Sequence, residues 1–300
     1  MAAKPIVAGT DGSEESLRAV DWAAREAVLR GLPLRIVSAA ALLPRMAERQ
    51  RQAVSGLDTV SDRLRKDRDR ALAAAAERVR AAAPDLLIDV DELTGAPATA
   101  LAEAGSGATM LVVGARGAGA FAAMILGSVS QYVSARATCP VVVVREGTAA
   151  ASRLVGVGIG DPAGSTAALA FAFEEAALRK ASLIAVHAWD MPSGQIGPAV
   201  WDLATPGRPA IEEEAARQLE SMLADWRVKY PDVQVSQEFV HAHPGRALVG
   251  LSARADLVVL GRHSAHNDTH PAHGALPGPG AVRHAVLNHA HGTVVTVPSS

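Results

Sequence analysis

Gly114, Gly117, Gly127 and Ser128 stand at a spacing suited to holding a phosphate. The segment Gly114–Ser130 reads GARGAGAFAAMILGSVS; it follows an apolar run and ends by opening a helical one. Glycines 114 and 117 are expected to bring bare backbone against a ligand and to take positive φ, and Gly127 to do the same at the mouth of the helix. The N–H groups of Ser128, Val129 and Ser130 then have no partners within their own helix. They face an anion, which the helix dipole favours. The hydroxyls of Ser128 and Ser130 are expected to add donors to phosphate oxygens, and Arg116 to supply countercharge. Ala115 completes the loop between strand and glycines.

A loop of this kind needs a strand before it and a helix after it, and the surrounding pattern supplies both. Pro5–Thr10 is a short apolar run. Ser13–Arg30 carries Leu17, Val20, Ala24, Ala27 and Val28 at helical spacing, with Asp11 or Ser13 as cap, Glu14 and Glu15 in the first turn and Gly31 at the end. Leu34–Ala40 reads as a strand, Asp58–Ala82 as a charged helix stopped by Pro84, and Leu86–Leu93 as a strand. Pro97–Glu103 reads as a short helix, Met110–Gly114 as a strand, Ser128–Ala137 as a helix and Val141–Val144 as a closing strand. Strands separated by helices imply a parallel sheet covered on both faces. Ligands of such sheets bind at the carboxyl ends of the strands, where strand order reverses.

The chain is written twice. LAEAGSGATMLVVG at Leu101–Gly114 answers LVGLSARADLVVLG at Leu248–Gly261, and IVAGTDGSEES at Ile6–Ser16 answers VGVGIGDPAGS at Val155–Ser165. VVVV at Val141–Val144 answers VVTV at Val294–Val297. An offset of about 150 residues means duplicated domains rather than stacked repeats of roughly 20–50 residues. The small, polar seam at Glu146–Ser152 sets the expected domains at 1–147 and 152–300.

Composition excludes several classes. The 300 residues are 49% hydrophobic and 20% charged, enough apolar content for two cores and too much for a disordered chain. The formal net charge of -2 gives no basic field, and 3% aromatics give no stacking platform for single strands; nucleic acid is not an expected partner. DRLRKDRDR at Asp62–Arg70 reads as a solvated helix face, because the acids interleave with the bases. Cys139 is the single cysteine, so an internal disulfide and a Cys-cluster zinc site are excluded; it is expected to be buried. Met1–Asp11 lacks the apolar core of a signal peptide, and no apolar stretch reads as a membrane span; the cytoplasm is the expected compartment.

The glycine spacing resembles the ATP motif of the universal stress protein family, Gly-x-x-Gly-x9-Gly-Ser/Thr. IVAGTDGS at Ile6–Ser13 is similar to that family's opening strand, and TCPVVVV at Thr138–Val144 to its closing one. The resemblance covers the first copy fully and the second more loosely. It implies two tandem copies of a five-stranded parallel-sheet sandwich of the adenine-nucleotide α-hydrolase-like type. It also implies ATP as ligand with Mg2+ as its companion, a cytoplasmic homodimer, and a nucleotide-dependent regulator of stress response or growth acting on a protein partner. By the same resemblance Asp11 would sit by the sugar or base, Gly9 under the base, Ala39 at the adenine edge and Val113 beside the nucleotide. A helix cap alone would also explain Asp11.

The second copy departs from the pattern. Gly158 and Gly261 answer Gly9 and Gly114, but Ser264 replaces the next glycine. Gly280-Ala281 stands for Gly127-Ser128, Arg283 for Ser130, and the loop spans 19 positions from Gly261 to Gly280 against 13 from Gly114 to Gly127. Asp161, one place beyond the position matching Asp11, precedes Pro162 and is suited to capping. Arg262, His263 and Arg283 are candidates for an anion held by a rebuilt loop. His263, His266, His270 and His273 lie close together, but in a Gly/Pro-rich loop that reads as exposed and polar rather than as a metal site. No Gly-x4-Gly-Lys-Ser/Thr appears, and Gly156-Val157-Gly158-Ile159-Gly160 misplaces the third glycine of a dinucleotide fingerprint. Gly9-Thr10-Asp11-Gly12-Ser13 differs from the loops of enzymes that adenylate substrates. Two alternatives to the regulator stand: a slow ATPase or self-phosphorylating enzyme using Ser128 or Ser130, and a nucleotide-free dimeric scaffold.

Overall fold

The structure, a computed structural model, describes residues 3–40, 57–117, 126–146, 152–160, 162–189, 208–262 and 280–299. The chain divides into two compact units, Met1–Glu146 and Gly147–Ser300. The first runs β1 (Ile6–Gly9), α1 (Glu14–Arg30), β2 (Leu34–Ala40), α2 (Leu57–Ala82), β3 (Ile88–Thr94), α3 (Pro97–Gly105), β4 (Met110–Gly114), α4 (Ser128–Arg136) and β5 (Val141–Val144). Its strands lie in the order β3-β2-β1-β4-β5. Every described pairing among them is parallel, with Ile6 opposite both Leu34 and Met110, and Gly114 opposite Val144. The order turns back between β1 and β4, so the switch point opens at the carboxyl ends of these two strands.

The strands form because their residues fit burial on both faces. β1, β4 and β5 are buried at every position, as their unbroken apolar runs require. At the edge of the order, β3 alternates between half-buried and exposed residues, and its Asp89, Asp91 and Glu92 discourage pairing with a further strand. It begins at Ile88 rather than Leu86. The Leu86 N–H turns back to the Ala83 carbonyl at 3.2 Å, and Leu87 is 76% exposed.

Helix α1 starts at Ser13, whose hydroxyl accepts from the Ser16 N–H, and ends at Gly31 with φ 63° and bonds to Ala27 and Val28. Val20, Ala24 and Ala27 turn inward as expected, and Leu17 is half-buried, but Val28 departs from that face. Val28 is 57% exposed, whereas Glu26 is buried and ion-paired with Arg30 one turn on. The inward stripe is Ala19, Ala23 and Ala27 with Ser16, Val20 and Ala24, and small side chains let the helix axis approach the sheet closely. Helix α2 buries Ala71, Leu72, Ala75, Ala76 and Val79 and leaves Arg63, Arg65, Lys66, Asp67, Asp69 and Arg70 in water. Its Arg78 forks onto the Asp21 carboxylate at 2.6–2.9 Å, and its Arg68 pairs with Glu92. Cys139 is buried, as expected.

The second unit repeats the plan. It runs β6 (Leu154–Ile159), α5 (Pro162–Arg179), β7 (Ser182–Trp189), α6 (Arg208–Lys229), β8 (Val235–His241), α7 (Pro244–Ser252), β9 (Leu257–Arg262), α8 (Ala281–His289) and β10 (Thr293–Pro298). Its order is β8-β7-β6-β9-β10, again parallel in every described pairing. The buried pair Glu26–Arg30 has its copy in Glu175–Arg179. On the same helix, Phe173 stacks with Trp226 and Tyr230 at 5.9 and 5.8 Å between ring centres. Among the described residues no helix is long and apolar enough to cross a membrane.

Candidate functional site

The site is built around the start of α4. Its first internal bond runs from the Gln131 N–H to the Gly127 carbonyl at 3.0 Å. The N–H groups of Ser128, Val129 and Ser130 make no hydrogen bond among the described residues, and no side chain caps the helix. Two tethers fix that helix start against the end of β4. The Gly127 N–H donates to the Ala115 carbonyl at 2.8 Å, and the buried Ser130 hydroxyl donates to the Gly114 carbonyl at 2.6 Å. Three open donors on a tethered helix end favour an anion.

Those amides border a cavity of about 310 Å³ in the first unit, at the carboxyl ends of β1, β2 and β4. Its volume falls at the lower end of small-ligand sites. Gly9, Ala39 and Val113 line it, together with Pro97 and Leu101 of α3, which give it an apolar wall. Gly114, Gly117, Gly127, Ser128, Val129, Ser130, Arg116 and Asp11 line the polar end. The structure thus brings together the first-copy candidates, with one exception. Ala115 does not line the cavity; its N–H donates to Val144 at 3.0 Å and its carbonyl holds Gly127. Its backbone builds the loop instead of facing a ligand.

Several expected roles change once the packing is known. Neither Gly114, Gly117 nor Gly127 takes a positive φ; Gly127 is extended at φ -74°, the ordinary conformation of a helix cap. Gly114 is required by the protein itself: a Cβ there would stand 2.8 Å from the Glu15 carbonyl oxygen and 3.1 Å from the Ser16 nitrogen. Gly9 makes room for Leu101, which would lie 2.9 Å from an added Cβ. Gly117 faces Asp11, whose Oδ2 would be 2.4 Å from a Cβ. The Ser130 hydroxyl has given its one proton to Gly114, so it is not a donor to a ligand; its N–H is.

Asp11 is exposed and organises the turn after β1. Its Oδ1 accepts from the Ser13 N–H at 3.0 Å and the Ser13 hydroxyl at 2.6 Å, so Ser13 is the cap and Asp11 its support. Arg116 has an acidic neighbour already, with its guanidinium 3.4 Å from Glu15 Oε1.

Thr10, Ser16, Pro97 and Leu101 also line the cavity, and sequence reasoning did not single them out. Thr10 and Ser16 share a hydrogen bond of 3.0 Å, and the Ser16 hydroxyl accepts from the Asp11 N–H at 3.3 Å. The signal was present in the repeat. Ser165 stands in the same place of the second copy and accepts from the Gly160 N–H at 3.1 Å. Leu101 and Leu248 likewise occupy matching places before Gly114 and Gly261.

In the second unit the corresponding residues serve packing. A Cβ on Gly261 would stand 2.3 Å from the Gly164 carbonyl oxygen, and one on Gly158 would meet Leu248 at 3.0 Å. Arg262 ends β9 opposite Pro298, and its carbonyl accepts from the Ser299 N–H at 3.2 Å. Gly280 precedes α8 in a left-handed conformation, φ 91°, unlike the extended Gly127. The Arg283 guanidinium lies over it, 3.1 Å from where a Cβ would be, and partial burial holds its proton affinity below that of a free arginine. Asp161, His263 and the rest of the histidine-rich loop lie outside the described residues. Among the described residues no cluster of His, Cys, Asp or Glu could hold a metal ion.

The comparisons agree with this architecture. The Universal stress protein family profile matches twice, over residues 2–145 and 152–298. Universal stress protein Rv2005c of Mycobacterium tuberculosis is 34% identical over 311 residues, covering 98% of this chain and 97% of that protein. Universal stress protein Rv2623 of the same organism is 32% identical over 275 residues, covering 85% of each. The crystal structure of a universal stress protein from Archaeoglobus fulgidus superposes with a TM-score of 0.67 over 99% of this chain and 98% of that one, at 17% identity, and so shares the fold. The chain belongs to the universal stress protein family and carries two tandem copies of its domain.

Proposed function

We propose that the first unit binds ATP and that the protein is a nucleotide-dependent regulator of stress response or growth. One observation carries this reading: the N–H groups of Ser128, Val129 and Ser130, without hydrogen bonds among the described residues, border an open cavity whose other end is apolar. A polyphosphate suits the amides, and a purine suits the wall of Leu101, Val113 and Pro97. Ala39, at the end of β2, is placed to meet the edge of the base through its backbone, and Asp11 to accept from a ribose hydroxyl. Asp11 is the one carboxylate among the described lining residues, so Mg2+ would arrive with the nucleotide rather than reside in the protein.

Regulation follows from linkage. A ligand that binds the folded unit stabilises the conformation that holds it, and a partner preferring that conformation then binds more tightly. Pairing of two copies and residence in the cytoplasm belong to the same reading; native mass spectrometry and cell fractionation check them. The enzyme alternative has less support, because the Ser130 hydroxyl is committed to Gly114 and none of the described lining residues is a lysine or histidine.

The test is to strip the purified protein, titrate it with ATP by calorimetry, and separately identify any nucleotide released from unstripped material. Saturable binding that Ser128→Pro weakens supports the reading. Absence of binding by the intact protein refutes it. Single-turnover incubation with γ-labelled ATP separates binding from hydrolysis.

A further inference from the structure

Thr10 and Ser16 line the cavity beside Asp11, but the protons of their hydroxyls are committed inside the protein. The Ser16 hydroxyl donates to the Ser13 carbonyl at 2.9 Å. The 3.0 Å bond between Thr10 and Ser16 therefore uses the Thr10 proton. The Ser13 hydroxyl donates to Asp11 Oδ1 at 2.6 Å. These hydroxyls also accept from the backbone of the same turn. Thr10 Oγ1 takes the Gly12 N–H at 3.2 Å, Ser16 Oγ the Asp11 N–H at 3.3 Å and Ser13 Oγ the Ser16 N–H at 3.3 Å. Linked hydroxyls polarise one another, so the three act as one frame between the end of β1 and the first turn of α1.

That frame sets the Asp11 carboxylate. Thr10 is buried and tied to the sheet by its own N–H, which donates to the Val37 carbonyl at 2.9 Å. From there the bonds reach Asp11 at its N–H and at Oδ1, while Oδ2 is the atom that a Cβ on Gly117, another lining residue, would meet. A carboxylate accepts at about four lone-pair positions, so the bonds from Ser13 do not exhaust it. The second unit keeps the serine and lacks the rest. Ser165 accepts from the Gly160 N–H at 3.1 Å, but Ile159 and Gly160 stand in the places of Thr10 and Asp11. β6 ends on a buried Ile159, so closing the strand does not require a hydroxyl. The threonine occurs in the unit where an acid follows it.

We propose that Thr10 is a positioning residue that, through Ser16 and the Gly12 backbone, fixes the Asp11 carboxylate for a ribose hydroxyl and so makes the first unit favour nucleotides with an intact ribose. The inference rests on the nucleotide reading given above. Thr10 acts through Asp11 and donates nothing to the ligand. A hydrogen bond weakens steeply away from its preferred angle, and an acceptor already held in place loses little freedom on binding. The effect is therefore read in the ratio of two affinities, which a general loosening of the fold leaves unchanged.

The experiment titrates the intact chain with ATP and with dideoxy-ATP, which lacks both ribose hydroxyls and keeps the base and phosphates. The natural protein is expected to favour ATP about tenfold or more. Thr10→Val removes the hydroxyl at nearly constant shape, and Ile159 shows that the matching strand end accepts an apolar β-branched side chain. It is expected to weaken ATP about 3- to 10-fold and dideoxy-ATP less than about 2-fold. Thr10→Ser keeps the hydroxyl and is expected to retain most of the preference. Ser16→Ala breaks the same link from α1 and is expected to lower the same ratio, so the test does not hang on one variant. Equal weakening of both nucleotides by these variants, or weakening of neither, overturns the assignment, as does a natural protein that binds the two alike; nucleotide binding itself survives each of these results. If the natural protein binds neither nucleotide, the functional reading fails, and this inference with it.

Discussion

Gly114→Ala distinguishes a glycine kept for packing from a glycine kept for a ligand. The added methyl would stand 2.8 Å from the Glu15 carbonyl oxygen, 2.9 Å from its carbon and 3.1 Å from the Ser16 nitrogen. All three are backbone atoms of the first turn of α1, so no side-chain rotation relieves the contact. Ordinary contact begins at 3.4 Å, and the helix start would have to retreat by about 0.6 Å from the end of β4. Overpacking of this kind costs about 1–3 kcal/mol. Alanine recovers about 0.4–1 kcal/mol of that through the unfolded chain, which leaves a net loss of about 1–2 kcal/mol. For a domain of this size the melting temperature falls by about 3–8 °C.

The assay is scanning calorimetry of Gly114→Ala beside Gly127→Ala. The control places its methyl 3.4 Å from the Ala115 carbonyl, at a φ any residue adopts, and is expected to lose less than about 1 kcal/mol. ATP is then titrated well below both melting temperatures. An unchanged melting temperature together with abolished ATP binding by Gly114→Ala would refute the packing argument and return that glycine to the ligand.

Three further outcomes are expected. Gly117→Ala pushes the exposed Asp11 carboxylate aside, since its methyl would lie 2.4 Å from Oδ2. Urea unfolding should move by less than about 1 kcal/mol, while ATP affinity falls about tenfold or more through the displaced turn; retained affinity shows that Asp11 and the loop do not meet the ligand. Ser130→Ala removes the 2.6 Å bond to Gly114 and leaves a buried carbonyl short of a donor, a loss of about 1–2 kcal/mol on chemical denaturation; unaltered stability would mean the tether is not needed to hold α4. Gly280→Ala imposes a side chain at φ 91° and should cost about 1–2 kcal/mol, more than Gly127→Ala; equal costs would show that the two helix starts do not differ as described.

The alternation of elements in the first copy was readable from periodicity and punctuation, because strand burial and helix capping are local, and the second copy followed from the repeat. Met110–Gly114, Val141–Val144 and the Ser13 to Gly31 limits of the first helix are set by residues within a turn or a strand of one another. The phosphate-suited spacing was equally local, since Gly127, Ser128 and Ser130 place their own amides. Less visible was the edge of the buried face of α1. Val20, Ala24 and Ala27 turn inward as their spacing predicts, but hydropathy favours Val28 inward, and the helix instead buries Glu26 against Arg30.

Only tertiary packing decided what each glycine is for and what each hydroxyl can still donate. Gly114 answers to Glu15, Gly261 to Gly164, and the Ser130 proton to Gly114, and each partner lies on a different element. Spacing along a chain records which residue types recur; it does not record the distance at which a helix comes to rest on a strand. That distance follows from the summed side-chain volumes of the two surfaces in contact, and those surfaces meet only when the sheet has assembled.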